Sequence, residues 1–399
     1  MLPLQLPTFH WQKQSQLSED TMQSLLISLL RGLAALQVAA AHLRAEAFPG
    51  LRTLEDPSLA YVGLAFITGF AHQAVIIFFL ISGWLVGGSL LNKIGQPQAL
   101  RSYTIDRVTR LWTVLVPTFV LILLIGFVIG AANPARVDFS AANPYSATAF
   151  VGNMLGLQTV TVPSYGGNFP LWSLAYETWY YVQFPLLLLV FTGPGILRQV
   201  AGAAALALIV AALPYMISLY FLIWLLGTAF SRVRVECGNG WRIALLLVTL
   251  CLSVYYRIYG NNDDLVPASF VQDLICSLPF LVLLSSMHMR VDPASRHMKR
   301  VGTVGKFFSE FSFTLYVVHV PIIILLSHIG RTAFGRDKLR PDAPVDFLLY
   351  FAVLVVLVLL AYLFYLMFER HTFKIRRLLK SVLLQRGPKD NRVAALSTK

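Results

Sequence analysis

The sequence is short of charge. Asp, Glu, Lys and Arg make up 13% of its 399 residues, where soluble domains carry about a quarter. A chain this poor in charge cannot cover itself with polar surface, which excludes a water-soluble globular protein. Acid is scarcer than base: 19 Asp and Glu face 32 Lys and Arg, a formal net charge of +13. In a soluble protein that excess would point to nucleic acid. Here the basic residues lie in short loops between and after apolar runs, which makes no nucleic-acid groove. Cysteine is also rare. Cys237, Cys251 and Cys276 stand in or beside apolar segments at no metal-ligand spacing, so neither a disulfide framework nor a metal site is expected. No fixed-period repeat is visible, and no polar stretch is long enough to fold alone.

What the sequence has is apolar length. It is 57% hydrophobic, with a mean hydropathy of +0.67. A transmembrane helix needs about 20 mostly apolar residues. Such runs occur near 24–43, 72–92, 109–131, 170–192, 199–215, 217–231, 241–259, 267–289, 307–329 and 346–368. They predict an all-α polytopic membrane protein of about ten transmembrane helices. Residues 57–71 are apolar as well and read as an extra short or re-entrant piece, and 147–160 as a short interfacial helix. Arg31 inside the first run argues against a cleaved signal segment. Lys93, Arg101, Arg107 and Arg110, then Arg232, Arg234 and Arg242, then Arg290 to Lys306, fall in alternate loops. By the positive-inside rule both termini are cytoplasmic, although Arg331, Arg336, Lys338 and Arg340 run against the trend. The organisation expected is a cytoplasmic segment over 1–23, a transmembrane unit over 24–375 and a basic cytoplasmic tail over 376–399, disordered from Gln385 onward.

Charge within the hydrocarbon costs at least about 2.5–3.5 kcal/mol per residue, so each exception carries information. Arg31 and His42 are eleven residues apart. On a helix that is three turns plus about 20°, which puts both on one face about 16 Å apart. Arg31 alone could snorkel and His42 alone could be an interfacial residue; their shared face favours a common purpose. In LWSLAYETWYYVQFP, Glu177 lies deep in an apolar helix, with Ser173 a turn before it and Tyr181 a turn after. The flanking Trp172, Trp179 and Tyr180 suit an interface belt. In SEFSFTLYVVHVP, Ser312, Tyr316 and His319 form one polar stripe, equally suited to helix–helix hydrogen bonding. Arg107 and Arg110 stand a turn apart at the mouth of the third long run. Arginine forks suit phosphate, and a plain basic flank would look the same. Glu369, at the end of the last run, reads as a helix-end carboxylate.

In this order the segments resemble the acyltransferase-3 family of integral membrane acyltransferases, which includes bacterial O-acetyltransferases of surface polysaccharides. The resemblance spans about 25 to 375. It rests on Arg31 and His42, on FFLISGWLVG with Ser82, on Arg107-x-x-Arg110 with Pro117, on Trp172-Ser-Leu-x-x-Glu177 with Tyr181 and Pro185, and on Ser312-x-x-Leu-Tyr316-x-x-His319-x-Pro321. Two positions depart from the family pattern: Asp106 stands where an arginine is frequent, and the closing Glu-x-Pro reads Glu369-Arg370-His371.

The resemblance implies transfer of an acyl group, most often acetyl from acetyl-CoA, to a carbohydrate hydroxyl at the bacterial cytoplasmic membrane. His42 is the expected general base, and Glu177 orients it or holds the acceptor. Arg31, Arg107 and Arg110 line the donor path and meet the CoA phosphates. Ser82, Trp172, Ser173, Tyr181, Ser312, Tyr316 and His319 support them. Acyl-CoA is a donor substrate, and no permanently bound cofactor or metal is expected. The partners are that donor, a carbohydrate acceptor (exopolysaccharide, O-antigen or lipid-linked glycan) and membrane lipid. A secondary transporter or a non-catalytic component of a polysaccharide-assembly complex stays open as an alternative.

Overall fold

A computed structural model describes residues 6–384 except 16, 134, 136, 263, 264 and 293; the tail from Gln385 onward therefore lies outside the described residues. The chain begins with a strand, β1 (Thr8–Trp11), and continues through α1 (Met22–Ala47), α2 (Leu59–Ile67) and α3 (Ala71–Ser82). A single π-helical turn, Gly83–Gly87, joins α3 to α4 (Gly88–Lys93). Then come α5 (Ala99–Val128), α6 (Ala147–Met154), α7 (Trp172–Thr192), α8 (Ile196–Ala212), α9 (Tyr215–Phe230), β2 (Val233–Glu236), α10 (Asn239–Tyr259) and α11 (Pro267–Ser286). The last four helices are α12 (Arg296–Glu310), α13 (Ser312–Phe334), α14 (Pro344–Met367) and α15 (Thr372–Leu383).

Among the described residues, seven helical stretches are long and apolar enough to cross a membrane. They contain α1, α2 with α3 and α4, α5, α10, α11, α13, and α14 with α15. The other three expected runs form α7, α8 and α9. The last two are apolar but shorter, at 17 and 16 residues. The extra apolar piece near 57–71 is α2, and the short helix in the long connection is α6. The N-terminal segment is more ordered than its irregular sequence suggests: β1 pairs antiparallel with β2, Phe9 opposite Val235. The run expected over 307–329 begins instead at Ser312, because α12 ends at Glu310 as a separate amphipathic, basic helix.

Local chemistry sets the helix starts. The side chains of Thr21, Ser58, Ser146 and Ser295 accept the N–H three residues on, capping α1, α2, α6 and α12, which satisfies one of the orphan donors at each N-terminus. Alanine dominates the buried face of α1, where Ala34, Ala35, Ala39, Ala40 and Ala41 are buried. Small side chains let helices approach closely, and α1 packs against α3, α12 and α13 at the centre of the molecule. The end of α3 and the π-turn after it cross α9 closely. A Cβ on Gly83 would lie 1.9 Å from the Trp224 carbonyl oxygen, and one on Gly227 2.1 Å from that of Leu80, so only glycine fits at either place.

Helix-interior prolines free carbonyls that the fold then uses. Pro321 has no N–H for the carbonyl of Val317; Asn168, in the loop before α7, donates its Nδ2 to that oxygen at 2.9 Å. Pro185 likewise frees the carbonyl of Tyr181, which accepts from the Tyr103 hydroxyl at 3.2 Å. Both bonds tie elements beside the polar residues of α7 and α13.

Candidate active site

Two cavities flank the polar stripe of α1. The first, of about 510 Å³, is lined by Arg31, Arg107, Arg110, Lys306 and Arg376 against two carboxylates, Glu177 and Glu310. Its basic side chains come from α1, α5, α12 and α15. Arg31 points its guanidinium at the Ser312 hydroxyl, 3.4 Å away. Arg107 lies over the ring of Tyr181, 5.5 Å from its centroid. Arg110 pairs with the buried Glu369, which also accepts from the N–H and hydroxyl of Thr314 at 3.1 and 2.5 Å. Glu369 is thus more than a helix-end carboxylate: it locks α5 to α13. Asp106, the departure from the arginine-rich pattern, is ion-paired with Lys380 at 2.6 Å and with Arg376 at 3.4 Å. That anchors α15 and delivers Arg376 to the cavity.

Glu177 reaches into the same cavity and is held on one oxygen. The Ser82 hydroxyl donates to it, and the Tyr181 hydroxyl donates at 2.6 Å. Ser82 in turn accepts from the Trp224 indole N–H at 3.1 Å. Ser82 directly precedes the π-turn, an irregularity frequent at functional sites. The carboxylate therefore serves the serine and the tyrosine, and the sequence expectation that Glu177 orients His42 is not what the geometry delivers.

His42 belongs to a second cavity, of about 590 Å³, and its partner is His319. The two rings lie nearly parallel, 16° apart with centroids at 5.0 Å, and His42 Nδ1 is 2.8 Å from His319 Nε2. The proton positions follow from what lies beyond. His319 Nδ1 faces the carbonyl oxygens of Tyr316 and Leu315 at 2.6 and 3.2 Å. Carbonyls only accept, so Nδ1 carries the proton and, in the neutral ring, Nε2 carries the lone pair. His42 must then donate from Nδ1, which leaves its Nε2 as a free lone pair. A ring wired this way is a proton acceptor. Phe169 packs edge-on against it at 4.8 Å, and Phe169, Trp172 and Tyr176 give the cavity an aromatic wall.

The side chains of Val75 and Tyr316 line both cavities and form the wall between them. The Tyr316 hydroxyl is fixed by Ser173 Oγ at 2.6 Å and by the Pro170 carbonyl at 2.9 Å. The helical geometry read from sequence explains this layout. Helices α1 and α13 run side by side in one direction, so Arg31 meets Ser312 at one level and His42 meets His319 at the other.

All twelve residues singled out from sequence fall on these cavities or in direct contact with their lining. Sequence reasoning missed Lys306 and Arg376, which looked like ordinary basic flanks. It also missed the buried contact of His72 with Asp273, 2.8 Å apart, on the histidine side. Their only signals were a histidine and an aspartate in apolar runs. Among the described residues no three His, Cys, Asp or Glu side chains stand together as a metal-binding group would.

Compared with known families, residues 26–377 match the one described as an acyltransferase domain. Neither a curated protein nor a solved structure shows a match.

Proposed function

The chain belongs to the acyltransferase-3 family, and on that premise we propose that it moves an acetyl group from acetyl-CoA to a hydroxyl of a cell-surface or exported carbohydrate in the bacterial cytoplasmic membrane. The observation that carries the mechanism is the His42–His319 pair, which leaves one lone pair on His42 at the edge of a cavity. The acceptor hydroxyl gives its proton to His42 Nε2 while its oxygen attacks the thioester carbonyl. The tetrahedral intermediate collapses, the carbon–sulfur bond breaks, and the CoA thiolate takes the proton back from His42. Imidazole suits both transfers near neutral pH.

The arginine cavity receives the donor. CoA carries a diphosphate and a 3′-phosphate, and guanidinium forks bind such groups bidentately. Arg107, Arg110 and Arg376, with Lys306, supply the positive field. Arg31 lines the path of the pantetheine arm toward the wall at Tyr316. Glu177, Ser82 and Tyr181 shape the end of that path. Because the basic side chains gather at this end, it faces the cytoplasm with both termini, and the histidine cavity faces the opposite side. There the aromatic wall of Phe169, Trp172 and Tyr176 suits the apolar face of a sugar ring, with the polar groups between them fixing its orientation.

The test is an acetyl-transfer assay with the full chain in lipid vesicles, alongside glycan analysis of cells lacking it. Loss of acetyl esters from the deleted strain, restored by the wild-type chain and not by His42→Ala, is the expected result. His42→Ala should still insert and bind CoA, with turnover lower by about 10²–10⁴. Full acetylation by that variant would remove His42 from the chemistry, and an unchanged glycan profile on deletion would remove the acetyl-transfer reading altogether.

A further inference from the structure

The last helix of the chain sorts its side chains into three stripes, and the chemistry above calls on only one. Helix α15 has 12 residues, about 18 Å of helix, too short to cross a hydrocarbon core of about 30 Å. It carries Lys374, Arg376, Arg377 and Lys380 and no acidic residue. Arg376 and Lys380, one turn apart, face α5 and pair with Asp106. Ile375, Leu378, Leu379 and Val382 make a second stripe at i, i+3, i+4 and i+7, and all four are exposed. Lys374, Arg377 and Ser381 make a third, which is exposed as well. At about 100° per residue the three stripes point about 120° apart.

The apolar stripe continues a surface that belongs to a membrane span. Leu359, Leu363 and Met367 stand exposed on α14, a helix apolar enough to cross the bilayer. Beyond the single turn at Glu369–His371, Phe373, Leu378 and Val382 are just as open, at 63%, 64% and 61%. A helix with one apolar and one basic face lies in the plane of the interface, its cations at headgroup level. Arg377 lies over the ring of Phe373, 5.0 Å from its centroid. A guanidinium stacked in this way keeps its in-plane N–H donors for a phosphate.

We infer that α15 is seated on the membrane surface, and that Lys374 and Arg377 bind the phosphate headgroups of anionic lipid there. The occupant is lipid and not a soluble anion, because a free phosphate would leave the apolar stripe beside the two cations uncovered. Charge complementarity selects the headgroup. The phosphate of phosphatidylglycerol is balanced by the two side chains, whereas a phosphocholine carries its own cation. Each basic residue near an anionic surface is worth about fivefold in affinity. The seat needs only the membrane-spanning fold and holds whatever group the chain transfers.

The experiment uses the full chain in nanodiscs, with Cys237, Cys251 and Cys276 replaced and a bimane fluorophore attached at Val382→Cys. The discs hold equal amounts of phosphatidylcholine and phosphatidylglycerol. Brominated acyl chains, which quench on contact, are carried by one lipid or the other. Stronger quenching by the brominated phosphatidylglycerol, equivalent to about tenfold local enrichment, is expected. Lys374→Gln combined with Arg377→Gln should bring the two lipids to within about twofold. Salt at about 0.5 M should weaken the preference of the unsubstituted helix by screening. CoA binding reports that the double variant is folded, since neither residue lines the arginine cavity. Equal quenching by the two lipids, or a preference unchanged in the double variant, overturns the headgroup site. No quenching by either lipid means that a protein surface covers the stripe, and overturns the seat itself. An intact lipid preference in a protein that transfers no acetyl group would overturn the acyl-transfer reading alone.

Discussion

At the scale of single residues, the informative feature is how a proton is placed by partners two bonds away. The carbonyl of Tyr316 fixes the proton on His319 Nδ1, and His319 fixes the one on His42. A substitution at His319 should therefore act through orientation. In His319→Phe the ring volume is kept but the acceptor for His42 is lost. Turnover should fall by about 10²-fold with the KM for acetyl-CoA unchanged, since the arginine cavity is untouched. A steady-state titration of both substrates separates this from a folding defect, which would lower the amount of active protein and leave the remaining turnover per site as in the wild type. From sequence, Arg31 and His42 were legible because a charge in an apolar run is costly and the helix period puts them on one face. The identity of His42's partner was not. Glu177 and His319 are both polar residues on other helices, and nothing in one-dimensional spacing says which of them meets α1.

At the scale of elements, the revealing feature is α15. Its residues from Arg376 on belong to the stretch read as a basic tail, yet it folds back along α5, with Arg376 and Lys380 on Asp106. The arginine missing from α5 at that position is in effect supplied by another helix. These ion pairs are partly exposed, so they contribute at most about 1 kcal/mol to stability. Their effect should appear in binding instead. In Asp106→Asn the KM for acetyl-CoA should rise several-fold while the thermal midpoint in detergent moves little. A large drop in the midpoint with an unchanged KM would show that the anchor serves the fold alone. The long apolar helices were legible, because twenty apolar residues leave few other options. The short elements were less so. The β1–β2 pairing joins segments more than two hundred residues apart, and the break between α12 and α13 falls inside one continuous apolar run. Both are decided by tertiary contacts that periodicity does not encode.

At the scale of the whole molecule, two cavities of similar size meet at one wall from opposite ends of the same helix. If the arginine cavity opens to the cytoplasm and the histidine cavity to the other side, single cysteines should report it. With Cys237, Cys251 and Cys276 replaced, Ser89→Cys should react with a membrane-impermeant maleimide only from the cytoplasmic face, and Thr159→Cys only from the other. Labelling of both from one face would collapse the two-sided arrangement. The sequence suggested two chemically different ends in outline, through basic loops and the eleven-residue spacing in α1. It could not show that the two ends are separate chambers, because the partition is made by Val75 and Tyr316, a valine and a tyrosine in apolar runs.

That partition bears on the energy economy of the membrane. A membrane that stores work as an ion gradient tolerates a chemical route across it only where no continuous column of water follows the same route. With its hydroxyl fastened to Ser173 and to the carbonyl of Pro170, the Tyr316 ring is a fixed partition between the two chambers, and water filling one is not continuous past it with water filling the other.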